Sequence, residues 1–409
     1  MKYLPLNAVG TGHAGYQQQV KEGNIKRIFD LVRSGKCKSR ADLVRVMNLS
    51  ATSVSVLVEE LASRRLIDET GPTQTSLPGR RPISLRLNGD AHQMVVFTLQ
   101  RDGVGYALLN LECKILERSF FPLDASLLAP EEVDERYLKL FEDILFRQAK
   151  LFDADKTLML GICYPGIYAK DDHKFHMDSS MGICLTEEAV SALQKRIRLP
   201  IYLSNSTKSL AYAEKKRLDA INPANPETLD MLFMEISDGI GCAIISRGDI
   251  YTGPYDVAGE IGHVTIDYKG RPCPCGNVGC LERYVNLCAI LEDAKQAAEA
   301  GGIEPPQSFA ALAERYESEP VLLASVNHSA ALLASGLYSA MCGAGMRRVV
   351  LGGGIEALGE AFLREVYRAV CTRKMLIHHL DLSYAQIGPD AESIGIAHHF
   401  LDKVFTITS

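Results

Sequence analysis

The chain has 409 residues, of which 47% are hydrophobic and 23% charged, and it contains no Trp. That is too long for one small domain and predicts two or three, with room for a sizeable core. The composition is that of a soluble globular protein. With no run of about 18 apolar residues and no apolar segment at the N-terminus, it argues against a membrane span or signal peptide and predicts a cytoplasmic location.

The formal net charge of −6 is unevenly spread. Residues 1–90 carry 14 Lys and Arg against 8 Asp and Glu, and the remainder carries 30 against 42. A basic front on an acidic body points to nucleic acid at one end, although a solvated charged face gives the same count. Eight of the 11 cysteines (Cys37, Cys113, Cys163, Cys184, Cys242, Cys288, Cys342 and Cys371) stand singly, as expected of buried thiols in a reducing compartment. Only Cys273, Cys275 and Cys280 cluster.

Residues 24–70 read as three helices. Ile25, Ile28, Phe29 and Val32 recur at helical spacing, and Ser34-Gly35 ends that helix. Ser39 opens a second helix, with Asp42 three residues on as in a capping box and Leu43, Val46 and Met47 as its apolar face. Asn48-Leu49-Ser50 makes a tight turn. Ser50 caps a third helix, whose core stripe is Val54, Leu57, Val58 and Leu61. Helix, short turn, helix is the layout that sets its second helix in a DNA major groove. Thr52, Ser53 and Ser55, beside the capping Ser50, are the candidate contacts. Two short extended stretches follow around a Gly/Pro-rich tip, a β-wing with Arg80 and Arg81 placed for phosphates or a narrow minor groove. A helical interaction module without DNA is the competing reading. Residues 50–63 hold no Lys or Arg, so the wing and flanks must supply the electrostatic contact.

Beyond Asn88, three consecutive strands, a helix, a strand and a helix alternate, and a second round starts near residue 229. A helix-rich stretch spans about 282–345, and "RRVVLGGGI" is a strand entering a glycine turn. Such a repeat predicts two α/β lobes with a ligand cleft between them.

"KSRADLVRVMNLSATSVSVLVEELASRRLI", "GRRPISLRLN" and "AGEIGHVTIDYKGRPCPCGNVGCLERYVN" together resemble the ROK family, and more narrowly its repressor branch of NagC-, Mlc- and XylR-like regulators. The resemblance runs from about residue 20 to the end and is most specific over 259–285. It implies a winged helix-turn-helix, residues 1–88, followed by a two-lobed actin/hexokinase-like (ribonuclease H-like) α/β body. The lobes would span 89–205 and 206–409, with the C-terminal helix returning to the first lobe. It implies a repressor of sugar uptake or catabolism genes, bound to a double-stranded DNA operator as a homodimer or homotetramer. Some relatives are controlled instead by docking to a sugar-transport protein.

His263, Cys273, Cys275 and Cys280 have the spacing H-x9-C-x-C-x4-C. Cys3His is a common structural Zn2+ set, and Pro274, Gly276 and Gly279 supply the turns that let the thiols converge. One structural zinc per chain is expected, consistent with the resemblance. Free thiols or a redox pair are the alternatives. Four protein ligands leave no open position for catalysis.

The resemblance also says what is missing. Where the family's kinases have Asp-x-Gly-Gly-Thr, this chain has Thr98-Leu99-Gln100-Arg101-Asp102, and where they have the basic Asp of an Asn-Asp pair it has Asn205-Ser206. The second phosphate loop reads Ser237-Asp238-Gly239-Ile240-Gly241-Cys242. These departures argue against phosphoryl transfer, with a residual sugar kinase as the competing reading. The sugar-holding positions implied by the family, Asn205, Glu260, His263 and Glu282, are all present, whereas Ser206 replaces an Asp that also holds the sugar.

Overall fold

The computed structural model describes residues 2–4, 16–72, 83–100, 102–123, 129, 132–148, 153, 155–169, 173–176, 184–221, 230–373 and 379–405. Strand β1 (Lys2–Leu4) precedes three helices, α1 (Tyr16–Arg33), α2 (Arg40–Met47) and α3 (Ala51–Ser63). An antiparallel wing follows, β2 (Ile67–Pro72) and β3 (Ile83–Leu87). Local sequence explains these helices. The Asp42 N–H donates to Ser39 Oγ at 3.2 Å, and the Ser53 N–H donates to Ser50 Oγ at 3.0 Å. Each cap satisfies a backbone donor that the helix itself cannot. Asn48 ends α2 in the left-handed region, φ 54°, which Asn tolerates better than most residues. Val46 departs from the expected apolar face: it is 45% exposed, and only Leu43 and Met47 of that stripe are buried.

The first lobe contains β4 (Gln93–Gln100), β5 (Gly103–Asn110), β6 (Ile115–Pro122), α4 (Val133–Arg147), β7 (Thr157–Tyr164), β8 (Ile167–Ala169), β9 (Lys174–His176), β10 (Cys184–Thr186), α5 (Glu187–Ile197) and β11 (Ile201–Asn205). Its six-stranded sheet has the order β1-β11-β7-β4-β5-β6, and β8–β10 form a small separate sheet. Helix α6 (Ser206–Ile221) leads into the second lobe. There β12 (Met231–Ile236), β13 (Ile240–Ser246), β14 (Asp249–Tyr251), β15 (Arg348–Gly352) and β16 (Asp381–Tyr384) form a sheet of order β14-β13-β12-β15-β16. Helices α7 (Glu282–Val285), α8 (Leu287–Ala300), α9 (Phe309–Arg315), α10 (Pro320–Ala344) and α11 (Gly359–Cys371) complete it.

Two features tie the parts together. Strand β1, first in the chain, pairs antiparallel with β11 of the first lobe. Helix α12 (Ala391–His399), last in the chain, packs on α6, β4 and β7. One apolar cluster consequently runs from Ile25, Phe29 and Leu61 of the helical unit through Met94 and Val96 of β4 to Ile396 and Phe400. The connector at 88–92 is anchored: Asn88 Nδ2 donates to Asp68 Oδ1 at 3.2 Å, and the Leu111 N–H donates to the Gly89 carbonyl at 2.9 Å.

Helix α10 is long and apolar enough to cross a membrane by length and composition, unlike the expectation from runs of apolar residues. In the fold it packs on α8 and α11, with Leu322, Val326, Leu333 and Leu337 fully buried in the second-lobe core. The single thiols also divide. Cys37, Cys113, Cys163 and Cys242 are buried, but Cys288, Cys342 and Cys371 are exposed, contrary to the expectation for all eight. The Cys184 side chain lies outside the described residues.

Candidate functional site

The segment 259–282 forms a compact knot between β14 and α7 of the second lobe. A short 3-10 turn, Ile261–His263, presents His263, and bridges pair Thr265 with Cys280 and Pro272 with Val278. Gly279 has φ 73°, and a Cβ there would strike the Asp267 carbonyl oxygen, so glycine is required. The turn brings one donor atom each of His263, Cys273, Cys275 and Cys280 within 4.8 Å of one another.

These distances test the fit to a metal. Zn–S bonds of about 2.3 Å in a tetrahedron set S···S edges of about 3.8 Å. Cys275 Sγ and Cys280 Sγ are 3.7 Å apart, and Cys273 Sγ lies 3.7 Å from His263 Nδ1. Asn277 Nδ2 donates to Cys280 Sγ at 3.4 Å and to Thr265 Oγ1 at 2.9 Å, orienting one thiol from outside the set. Burial and the neighbouring sulfurs push the Cys280 thiol up to about 12. A cation among the sulfurs reverses that preference, because a bound thiol is deprotonated. The donor set therefore fits a structural Zn2+, which His263, Cys273, Cys275 and Cys280 would hold.

Of the other expected ligand residues, Glu260 and Glu282 flank this knot in the chain, and Asn205 lies at the end of β11. Asn205 ends β11: its Oδ1 accepts the Lys208 N–H at 2.9 Å, and its Nδ2 donates to the Gly166 carbonyl at 2.8 Å. Glu260 precedes His263 on the 3-10 turn, and burial raises its carboxyl above the usual range. Glu282 opens α7, where its Oε2 accepts the Ile240 N–H at 3.1 Å. Glu282 therefore holds the loop between β12 and β13, a role its position in the sequence does not reveal. That loop is the second phosphate-type loop of the sequence. The Ser237 N–H donates within it to the Gly239 carbonyl, so two of its backbone donors are engaged. The "LGGGI" stretch is a tight strand-to-helix turn, with Gly353 and Gly354 at φ 89° and 108°.

Ser206 Oγ donates to Glu392 Oε1 of α12 at 2.6 Å. Burial pushes the Glu392 carboxyl up to about 7, partly opposed by that hydrogen bond. Thr207 Oγ1 donates to Glu235 Oε2 of β12 at 2.5 Å. The residues at the junction of the lobes are thus bonded to acids that the sequence did not single out. Lys208, one turn into α6, was also missed: it is only 7% exposed, and its ammonium donates to the Asp256 carbonyl at 2.9 Å.

At the far end, Thr52 and Ser53 are exposed at the start of α3, and Ser55 is half-buried. Ser50 is spent as the cap, its hydroxyl 2.8 Å from that of Ser53. Val56, 54% exposed on the same helix, was not expected from sequence. Arg80 and Arg81 lie outside the described residues, as does Arg101. The helical unit is held to the body at Asp402, in the π-turn Phe400–Val404. Its carboxylate pairs with Arg33 of α1 and accepts from Tyr212 (2.8 Å) and Lys216 (3.1 Å) of α6.

Known proteins resemble this arrangement. The chain is 29% identical over 276 residues to the xylose repressor of Bacillus subtilis, covering 68% of this chain and 69% of that protein. A ROK family transcriptional regulator, a homologue of the E. coli MLC protein, superposes with a TM-score of 0.78 at 21% identity, covering 94% of this chain and 97% of that one. A ROK family glucokinase from Streptomyces griseus, solved with glucose and AMPPNP, superposes over 75% of this chain and 98% of its own, with a TM-score of 0.58 and 20% identity. The fold is thus shared by regulators and kinases. A model of the ROK family matches residues 103–403, and with a match over that much of its length this chain belongs to the ROK family.

Proposed function

We propose that this protein is a DNA-binding transcriptional repressor of sugar uptake or catabolism genes, controlled by a sugar in the cleft between its lobes. The observation that carries the reading is the exposed, Ser50-capped start of α3 on a unit tied through Arg33 and Asp402 to a ROK body. Thr52, Ser53 and Ser55 meet phosphates and base edges, and Val56 meets a thymine methyl. The protein works in the cytoplasm as a homodimer or homotetramer, so its operator is a two-fold repeat.

In the cleft, Glu260, Glu282 and Asn205 take hydroxyls of the sugar by hydrogen bonds. His263, held by a structural Zn2+ through Nδ1, turns Nε2 toward the ligand. Closure of the lobes on the sugar moves α6, and α6 acts on the helical unit at Asp402. The chain does not phosphorylate the sugar. The base position is Ser206, whose hydroxyl is bonded to Glu392, and the Ile240 N–H that a phosphate needs is bonded to Glu282.

Selection from a random duplex library tests the DNA claim: a two-fold consensus is expected, and no enrichment overturns it. Gel shifts on that consensus with a sugar panel test effector control, and an unchanged affinity with every sugar removes it. A coupled ADP-release assay over the same panel should show no turnover.

A further inference from the structure

An open cavity of about 370 Å3 lies between β4–β6 of the first lobe and the start of α12. Thr98, Gly105, Arg118, Phe120, Glu392 and Ser393 line it, and Asn205, Glu260, His263 and Glu282 do not. Gly105 forms part of its floor. A Cβ there would stand 2.3 Å from Thr98 Oγ1, so a side chain at this position would displace the hydroxyl. Phe120, the cross-strand partner of Gly105, is 47% exposed beside it.

Thr98 is 8% exposed and Ser393 6% exposed. Among the described residues neither hydroxyl has a hydrogen-bond partner, and neither is among the buried polar atoms that solvent cannot reach. The charges at the cavity are balanced. Arg118 is the only cation among the described lining residues, and it is paired with Asp390 at 3.1 Å. Glu392 accepts from Ser206, and burial pushes its carboxyl up to about 7. An anion finds no free cation there, and a cation finds only an acid that burial tends to neutralise.

Water satisfies a hydroxyl but gains nothing from the Phe120 ring. A compound with hydroxyls along one edge and C–H groups on a face meets both. Ligand pockets run from about 300 to 1,000 Å3, so this one holds a single ring rather than a nucleotide. The cavity also adjoins the helix that anchors the helical unit, since α12 runs on into the turn where Asp402 pairs with Arg33.

We infer that this cavity is a second ligand site, separate from the cleft, that takes a neutral monosaccharide with its hydroxyls on Thr98 and Ser393 and its C–H face on Phe120. The site stands independently of the reading of the cleft.

Titration calorimetry on the full-length protein tests it, with glucose, galactose, mannose and xylose set against gluconate and glucose 6-phosphate. Glu282→Gln impairs the cleft and leaves the first lobe intact. At least one neutral sugar should still bind this variant, and more tightly than the anionic ones. Adding Thr98→Val or Ser393→Ala should weaken that binding about tenfold, the loss of one hydrogen bond. Thr98→Ser keeps the hydroxyl and should keep the affinity, which separates a lost hydrogen bond from disturbed packing. Sugar binding that Glu282→Gln abolishes in full overturns the inference and supports the cleft reading. Binding indifferent to Thr98→Val and Ser393→Ala, or lost equally in Thr98→Ser, also overturns it. Binding that Glu282→Gln leaves untouched and both hydroxyl variants weaken supports the second site and removes the cleft.

Discussion

The His263–Cys280 knot and the Asp402 junction are both fasteners, but they are built from opposite kinds of sequence. The knot closes on itself within residues 263–280 and needs only a turn to bring its four donors within 4.8 Å. The junction gathers Arg33 from the first helix, Tyr212 and Lys216 from α6 and Asp402 from the π-turn Phe400–Val404. Spacing announces the first. Nothing short of the folded molecule announces the second, because its partners are chosen by how α12 crosses α6 and α1. Under the proposed function the two also have different tasks: the knot orients the residues that meet the effector, and the junction carries the change to the helical unit.

Four experiments break or sharpen this contrast. Cys275→Ala should have the largest effect. It should lose the bound zinc and cost on the order of 4 kcal/mol, as losing a metal does. Urea unfolding and elemental analysis check it, and wild-type protein with no zinc would remove the knot as a metal fastener. Asp402→Asn follows. It leaves the Arg33 guanidinium, only 9% exposed, without its counter-charge, and breaking a buried pair of this kind costs about 3 kcal/mol. Hydrogen exchange should show α1 opening before the second lobe. A uniform, global loss of protection would mean that the junction does not act locally.

The third experiment is a pH profile of stability. Burial, helped by Lys216 and Arg33, pulls the His398 imidazole down to about 3. The unfolded chain takes up that proton near its ordinary value while the folded chain does not. Stability contributed at this position is therefore present above about pH 6.5 and is lost as pH falls toward 3, by at most about 1.4 kcal/mol per unit. Glu392 has the opposite sign. With its carboxyl at about 7, the folded state holds an extra proton between its ordinary value and 7, so stability falls as pH rises through that window. Glu392→Gln should gain stability relative to wild type between pH 5 and pH 8, and His398→Gln should flatten the loss below pH 6.5. Parallel profiles for wild type and both variants would contradict these assignments. Smallest of all, Ser50→Ala removes the α3 cap and should cost about 1 kcal/mol. Its effect should appear as faster exchange in the first turn of α3, with the second lobe unchanged.

Much of the fold was legible in local pattern. Ser39 and Ser50 announced their helices because a capping hydroxyl acts on a backbone group three residues away. The strands of β4–β6, and the alternation that follows them, were legible from apolar runs and turn residues. β1 was not legible, since three residues carry no period and pair only because β11 offers a free edge. In the cleft, the types of Asn205, Glu260, His263 and Glu282 were visible from the sequence, but their bonds were not. Glu282 is held to the Ile240 N–H and Ser206 to Glu392, contacts set by where α7 and α12 land.

By itself the sequence determined the capped helices, the alternation of strands and helices and the metal-type spacing of the knot. Each of these depends on residues a few positions apart, whose geometry the backbone dictates. The tertiary structure alone decided that the first and last segments join one lobe. It also decided that Asp402 binds the helical unit to α6, and that Lys208 is buried with its ammonium on the Asp256 carbonyl. Those outcomes depend on which surfaces exclude water together, and that is fixed only when distant segments pack.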